Sequence, residues 1–180
     1  LYTLNSVENL KSILQLEPEK EWYNYDVILC KPWSVSNVKK MKLIKRGFRS
    51  LLKDPSIFFN KDKQSIKLHF DMNHGYGNLE IAANLLPEKD KKDFIDYVST
   101  KTWLIGHCIF ISKNKKIMDR FYNDLFSWLS NCEKIFGFES NNYDTKRIYS
   151  FLTERYMPFW FEKYAKVLTW PWVFFDINKY

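Results

Sequence analysis

Two short apolar runs restrict this chain more than any other feature of its sequence. The first covers residues 25–30, and the second covers residues 102–112, with Gly106 and His107 in its middle. Both are far shorter than the about 20 apolar residues that a membrane-spanning helix needs. Short apolar runs bounded by polar or turn residues are typical of buried strands. We therefore predict an α/β protein without a transmembrane segment.

Most of the remaining chain shows the periodicity of amphipathic helices, with apolar residues three or four positions apart. The segments with this pattern are residues 6–18, 35–53, 78–86, 87–97, 115–132 and 144–163. Pro158 is expected to kink the last helix or to end it early, because proline lacks the N–H that a helix interior requires. Residues 66–70 alternate in polarity and fit either a strand or the start of a helix. The last two segments predict a helical C-terminal half.

Composition limits the class of protein. Of the 180 residues, 46% are apolar, and glycine and proline number only five and six. These values exclude a disordered or collagen-like chain and fit one globular domain over residues 1–180. An excess of 28 Lys and Arg over 21 Asp and Glu favours anionic partners. Only five of the 28 are arginine, and since nucleic-acid readers rely on the planar arginine fork, we expect no nucleic-acid partner.

Several kinds of chemistry lack their usual signatures here. The three cysteines are widely spaced and form no Cys-x-x-Cys pair, which argues against disulfides and zinc and favours a cytoplasmic setting. The sequence has no glycine-rich phosphate loop, His-Glu-x-x-His or Gly-x-Ser-x-Gly motif, so nucleotide hydrolases, zinc proteases and serine hydrolases are disfavoured. It also has no Asp-x-Asp pair, a motif with which sugar-nucleotide enzymes commonly hold a divalent cation.

The segment 35–53 is a basic amphipathic helix by its pattern, with a break expected near Gly47. Two interpretations fit it. It is either a solvated surface helix or a helix that docks on an anionic membrane face, which would place the protein at the inner face of the membrane. The cations proposed for this contact are Lys39, Lys40, Lys45 and Arg46. In the second case the chain could be a non-enzymatic membrane-surface or interaction module.

A few polar residues in aromatic surroundings could carry chemistry. They are Asp71, Asn73, His74, Asn78, His107, Arg147, Glu154 and Arg155. Arg147 and Glu154 lie two helical turns apart and can share a face. Glu154 is either a structural ion-pair partner or, if it lines a cleft, a general base. His74 is either a loop residue with local hydrogen bonds or a ligand for phosphate or metal, and His107 fits a core histidine.

The order of several segments resembles a bacterial family of capsular or exopolysaccharide biosynthesis glycosyltransferases. The resemblance lies in residues 25–29, His74 with Asn78-Leu79, residues 108–129 and residues 147–160. It covers about residues 22–162 and corresponds to the C-terminal part of the family. It implies a GT-A-like mixed sheet flanked by helices, of which this chain would carry the acceptor-side portion without the upstream nucleotide-binding half.

The same resemblance implies transfer of a sugar from a nucleotide-sugar donor to a glycan or lipid-linked acceptor. It leaves open whether a divalent metal such as Mn or Mg is required. It suggests Glu154 as catalytic base or acceptor anchor, and Arg147 and Arg155 as phosphate or structural partners. The further substrate-binding residues that it suggests are His74, Asn78, His107 and Trp103. The sequence departs from the family at Cys108 and at Asn78, where the family has asparagine and aspartate.

Overall fold

The computed structural model describes residues 18–138 and 146–172, which form a mostly helical, mixed α/β fold. The helices in these residues are α1 (Lys40–Arg46), α2 (Phe48–Lys53), α3 (Ile66–Asn73), α4 (Asn78–Asn84), α5 (Glu88–Thr100), α6 (Lys115–Phe136) and α7 (Ile148–Tyr164). The strands are β1 (Val27–Cys30), β2 (Trp33–Ser34), β3 (Trp103–Leu104), β4 (Phe110–Ser112) and β5 (Val167–Trp170). Short 3-10 helices occur at Lys20–Asn24, Pro55–Phe58 and Lys61–Lys63. The helix predicted at 6–18 lies outside the described residues.

The main sheet has three strands in the order β4-β1-β5. Strand β1 pairs antiparallel with β4, with Leu29 opposite Phe110, and parallel with β5, with Leu29 opposite Thr169. The two apolar runs therefore contribute neighbouring strands of one sheet. All four residues of β1 are buried, which is typical of a strand with partners on both edges.

The second apolar run does not form one continuous strand, contrary to the prediction for residues 102–112. Its first part pairs with β2 in a separate two-stranded sheet, with Leu104 opposite Trp33, and its last part joins the main sheet as β4. The intervening loop passes close to the Trp33 side chain, since a Cβ on Gly106 would lie 2.8 Å from Trp33 Nε1. Glycine is required at this position by the approach of an indole ring.

Helices α4 to α7 confirm the amphipathic segments predicted after residue 78, and their apolar faces form an aromatic core. Trp128 and Trp160 are almost completely buried. Their indole nitrogens donate to the Ala82 carbonyl at 2.7 Å and to the Asp124 carboxylate at 2.9 Å. Buried indoles normally find such partners. Residues 66–70, whose pattern left two alternatives, begin helix α3.

Pro158 does not end the last helix, which continues to Tyr164. The chain tolerates a proline there because residues 155–161 are all buried and their packing offsets one missing hydrogen bond. The absent N–H is the one that would donate to the carbonyl of Glu154 in a regular helix. The carbonyl of the predicted site residue Glu154 therefore lacks its usual helical N–H donor.

The basic segment 35–53 is helical only from Lys40 onward and breaks at Gly47 into α1 and α2. The only buried residue of α1 is Leu43, and α2 buries none completely. The pair of helices therefore lies on the surface. Among residues 18–138 and 146–172, no helix combines the length and the apolar character needed to cross a membrane.

We expect the substitution Phe94→Ala to lower the free energy of unfolding by about 3–5 kcal/mol, because it leaves a cavity among packed rings. Phe94 is completely buried and its ring contacts those of Trp128, Tyr156 and Phe159. Urea unfolding measures the change. The control is Phe126→Ala, since Phe126 is 61% exposed, and an equal loss in both variants would contradict this core.

Candidate functional site

Several loops meet at one edge of the main sheet. Because β1 and β5 are parallel, their carboxyl ends at Cys30 and Trp170 lie at the same edge. Strand β4 runs the other way and begins there, so the preceding loop 105–109 reaches this edge too. The Cys30 thiol donates to the His107 carbonyl at 3.9 Å, and the His107 ring meets Trp172 edge-on at 4.6 Å. Open α/β sheets place ligands at such carboxyl edges.

Arg155 connects α7 to α3 and interacts electrostatically with Cys108, in the loop that reaches this edge. Its side chain is 1% exposed. Nη1 donates to Glu154 Oε2 at 2.6 Å and to the Phe151 carbonyl at 3.2 Å, and Nη2 donates to His69 Nδ1 at 3.2 Å. Burial lowers the pKa of the guanidinium to about 10, so it remains charged at neutral pH. Of the two roles that the sequence left open, these contacts favour the structural one.

His69 and His74 are both neutral at physiological pH. Arginine can only donate, so Nδ1 of His69 must accept and carries no proton. Burial, followed by the charge of Arg155, lowers the pKa of His69 to about 3 and that of His74 to about 4. The His74 ring is stacked on Phe151 at 3.7 Å between centroids. An imidazole without charge gives no Coulomb attraction to a diphosphate, so His74 is poorly suited to that role.

Glu154 is the carboxylate of this cluster. Its side chain is 23% exposed, and burial raises its pKa, against the opposing effects of Arg155, His107 and Arg147. Carboxylates of raised pKa are commonly found among catalytic acids and bases. The ion pair with Arg155 fixes the position of this carboxylate while one side of it stays open to solvent.

Two exposed residues complete the surroundings of Glu154. Arg147 precedes α7 and is exposed, with its guanidinium carbon 5.5 Å from the Phe151 ring centroid. Cys108 is also exposed, and its pKa is raised to about 11 by desolvation and by the Glu154 charge. The thiol is therefore protonated at neutral pH and is a poor nucleophile.

An apolar groove opens beside the same edge. It is lined in part by Cys30, Ile109, Trp170 and Trp172. Because Trp172 also contacts His107, the groove adjoins the polar cluster. Trp170 and Trp172 are half-buried, and partly exposed indole faces next to polar groups are suited to stacking against sugar rings.

Two predicted residues, Asn78 and Trp103, make no hydrogen bond or ring contact with Arg155 or Glu154 in the described residues. Asn78 donates from its side-chain amide to the His74 carbonyl at 3.0 Å and so holds the turn before α4. Trp103 is 56% exposed and pairs with Ser34, on the opposite face of that ladder from Trp33.

Sequence reasoning missed two residues that the fold brings to the site. They are His69, which contacts Arg155, and Trp33, whose ring meets that of His69 edge-on at 5.6 Å. The sequence had a signal only for His69, which is the fourth residue of a helix that also leads to His74.

The residues at the site do not fit a divalent cation. Within 18–138 and 146–172, no three His, Cys, Asp or Glu side chains lie close enough together to hold a metal ion. The carboxylate of the cluster, Glu154, is already paired with Arg155. Mg²⁺ and Mn²⁺ require several oxygen ligands, and this group of residues offers one carboxylate. We therefore derive no step through a metal.

The fold and the cluster define a small mixed α/β protein with a buried arginine, a half-buried carboxylate and an aromatic groove at one edge of its sheet. Residues 13–166 match the model of a family described as a domain of unknown function, DUF4422, and the chain belongs to this family. No curated protein and no solved structure matches the chain.

The two buried histidines predict a stability that falls with acidity. Their pKa values are lower in the folded chain than in the unfolded chain, at about 6.5, so unfolding takes up protons below that pH. Their contribution is present above pH 6.5 and is lost toward pH 4 and below, with a slope approaching about 2.7 kcal/mol per pH unit for two groups. Urea unfolding of the protein and of the variant His69→Gln/His74→Gln from pH 8 to pH 5 measures it. Parallel pH profiles would contradict this assignment.

Proposed function

We propose that this protein is a glycosyltransferase, or the acceptor-side part of one with a GT-A-like fold, which transfers a sugar from a nucleotide donor to a hydroxyl of a surface glycan. Its segments resemble those of capsular polysaccharide glycosyltransferases, and its sheet edge, carboxylate and aromatic groove suit such a reaction. The observation that carries the proposal is Glu154, a half-buried carboxylate of raised pKa held in place by Arg155.

Glu154 acts as the general base in this proposal. It takes the proton of the acceptor hydroxyl as the acceptor oxygen forms a bond to the anomeric carbon of the donor sugar. The bond from that carbon to the phosphate oxygen breaks, and the nucleoside diphosphate leaves with the electron pair. A base on the acceptor side corresponds to inversion at the anomeric carbon. The raised pKa of Glu154 strengthens it as a base, because a carboxylate of higher proton affinity accepts the proton more readily.

The neighbouring cations have separate roles in the proposal. Arg147 is exposed and acts on Glu154 through its charge, so it can face the negative charge that develops on the leaving diphosphate. Arg155 is buried and donates hydrogen bonds to residues of both α3 and α7, so it is a positioning residue for Glu154. The groove that contains Trp170 and Trp172 supplies stacking surface for a sugar ring.

We expect one class of nucleotide sugar to raise the melting temperature of the protein, because a ligand that prefers the folded state stabilises it by mass action. A thermal-shift screen against UDP-, GDP-, CDP- and CMP-sugars, with and without manganese, measures this. The screen is repeated on a chain extended upstream, which would supply a donor site that lies outside these residues. If neither chain binds any of these donors while both remain folded, the proposal fails.

Glu154→Gln should lower the rate of donor turnover by about 10²–10⁴-fold and leave donor binding almost unchanged, because glutamine keeps the shape but cannot accept a proton. Release of nucleoside diphosphate from the donor found in the screen measures the rate. The matched control is Glu162→Gln, since Glu162 lies on the same helix, pairs with Lys101 at 3.8 Å and also has a raised pKa caused by burial. Equal rates in the two variants would leave Glu154 as a structural ion-pair partner and contradict its role as base.

A further inference from the structure

Helices α1 and α2 expose apolar side chains that their periodicity would place against a core. Met41, Ile44, Phe48 and Leu52 are 61%, 46%, 55% and 67% exposed. They follow one another at intervals of three or four residues along the two helices, and together they are called the α1–α2 stripe. Leu43 points the other way and belongs to a small second core with Ile57, Leu68 and Met72. The stripe is therefore the outer face of this helix pair.

The stripe is surrounded by positive charge. Residues 27–53 include eight basic residues and no Asp or Glu. The eight are Lys31, Lys39, Lys40, Lys42, Lys45, Arg46, Arg49 and Lys53. Lys39, Lys40, Lys45 and Arg46 are all exposed, so their charges lie on the solvent-exposed surface of the same helix pair.

We propose that the α1–α2 stripe inserts into the interface of a lipid bilayer that contains anionic lipids, with the surrounding cations against the headgroups. Exposed apolar residues flanked by Lys and Arg are the composition of helices that lie in the plane of a membrane. A second copy of the chain would bring an equally positive surface to the stripe and repel it. An anionic bilayer satisfies both the apolar and the charged part of this surface.

This membrane face adjoins the candidate site. The charge of Lys42 acts on His69 and His74, and Arg46 Nη1 donates to the side chain of Asn73, at the end of α3, at 3.3 Å. Docking through α1 and α2 therefore holds the histidine side of the site close to the bilayer. If the proposed transferase function holds, a lipid-linked acceptor would reach the site from the membrane; the docking itself does not depend on that function.

Co-sedimentation of the whole chain with vesicles tests the charged part of the surface. We expect binding to vesicles of phosphatidylcholine mixed with phosphatidylglycerol, weaker binding to phosphatidylcholine alone, and loss of binding as salt is added. Each basic residue at such a surface strengthens binding about fivefold, so the variant Lys39→Gln/Lys40→Gln/Lys45→Gln/Arg46→Gln should bind about 600-fold more weakly. The control removes the same charge from exposed positions elsewhere, with glutamine at Lys92, Lys115, Lys116 and Lys134, and should keep binding. Equal binding by both variants would overturn the proposal.

A second pair of variants tests insertion. Phe48→Ser/Leu52→Ser should lower binding to the mixed vesicles about tenfold or more, whereas Phe126→Ser/Ile135→Ser, at residues that are 61% and 58% exposed, should not. Undiminished binding by the first variant would mean that charge alone holds the surface and would overturn insertion.

The stripe variant is also examined without lipid. Because its two residues are exposed, its urea midpoint and native mass should match those of the unchanged protein. A lower midpoint would mean that other parts of the chain cover the stripe. A smaller native mass would mean that a second copy of the chain covers it. Either result contradicts the lipid proposal. Vesicle binding, when neither this chain nor the upstream-extended chain binds a nucleotide sugar, would support the docking and contradict the transferase function alone.

Discussion

The hydrogen bonds of one buried guanidinium organise the site of this protein. Arg155 joins the carboxylate of Glu154, the backbone of α7 and the ring of His69 on α3. A buried charge of this kind is stable only when its donors are largely satisfied, since desolvation costs several kcal/mol otherwise. The helices must therefore keep one relative placement. The same requirement keeps His69 neutral, because its Nδ1 must accept from an arginine that can only donate.

The sheet edge supplies the other half of the arrangement. Cys30 at the end of β1, the loop before β4 and Trp172 after β5 converge there because β5 runs parallel to β1 and β4 runs antiparallel. The result is a polar cluster under an aromatic groove, with positive charge spread over α1 and α2 on the side of the histidines. A carboxylate base, a sugar-stacking groove and a membrane-facing helix pair are three parts of one proposed arrangement for work on a lipid-linked glycan.

Local patterns predicted much of the fold. The helical segments 78–86, 87–97 and 115–132 form where their periodicity placed them, because an amphipathic helix buries one face whatever its partner is. The prediction of a single strand over residues 102–112 was wrong. This run is apolar throughout, so its pattern does not show where pairing with one strand ends and pairing with the next begins. The prediction that Pro158 kinks or ends the helix considered only the hydrogen bond that proline removes. The burial of residues 155–161 outweighs that loss.

The sequence by itself determined the α/β class, the positions of most helices, the basic surface and the closeness of Arg147, at the start of the last helix, to Glu154 and Arg155 within it. These properties depend on residues close together in the chain. Only the tertiary structure decided that Arg155 is buried, that His69 and Trp33 join the site and Asn78 and Trp103 do not, and that the α1–α2 stripe faces outward. Each of these depends on which distant element packs against a residue, and packing partners far apart in the chain leave no periodic signal in the sequence.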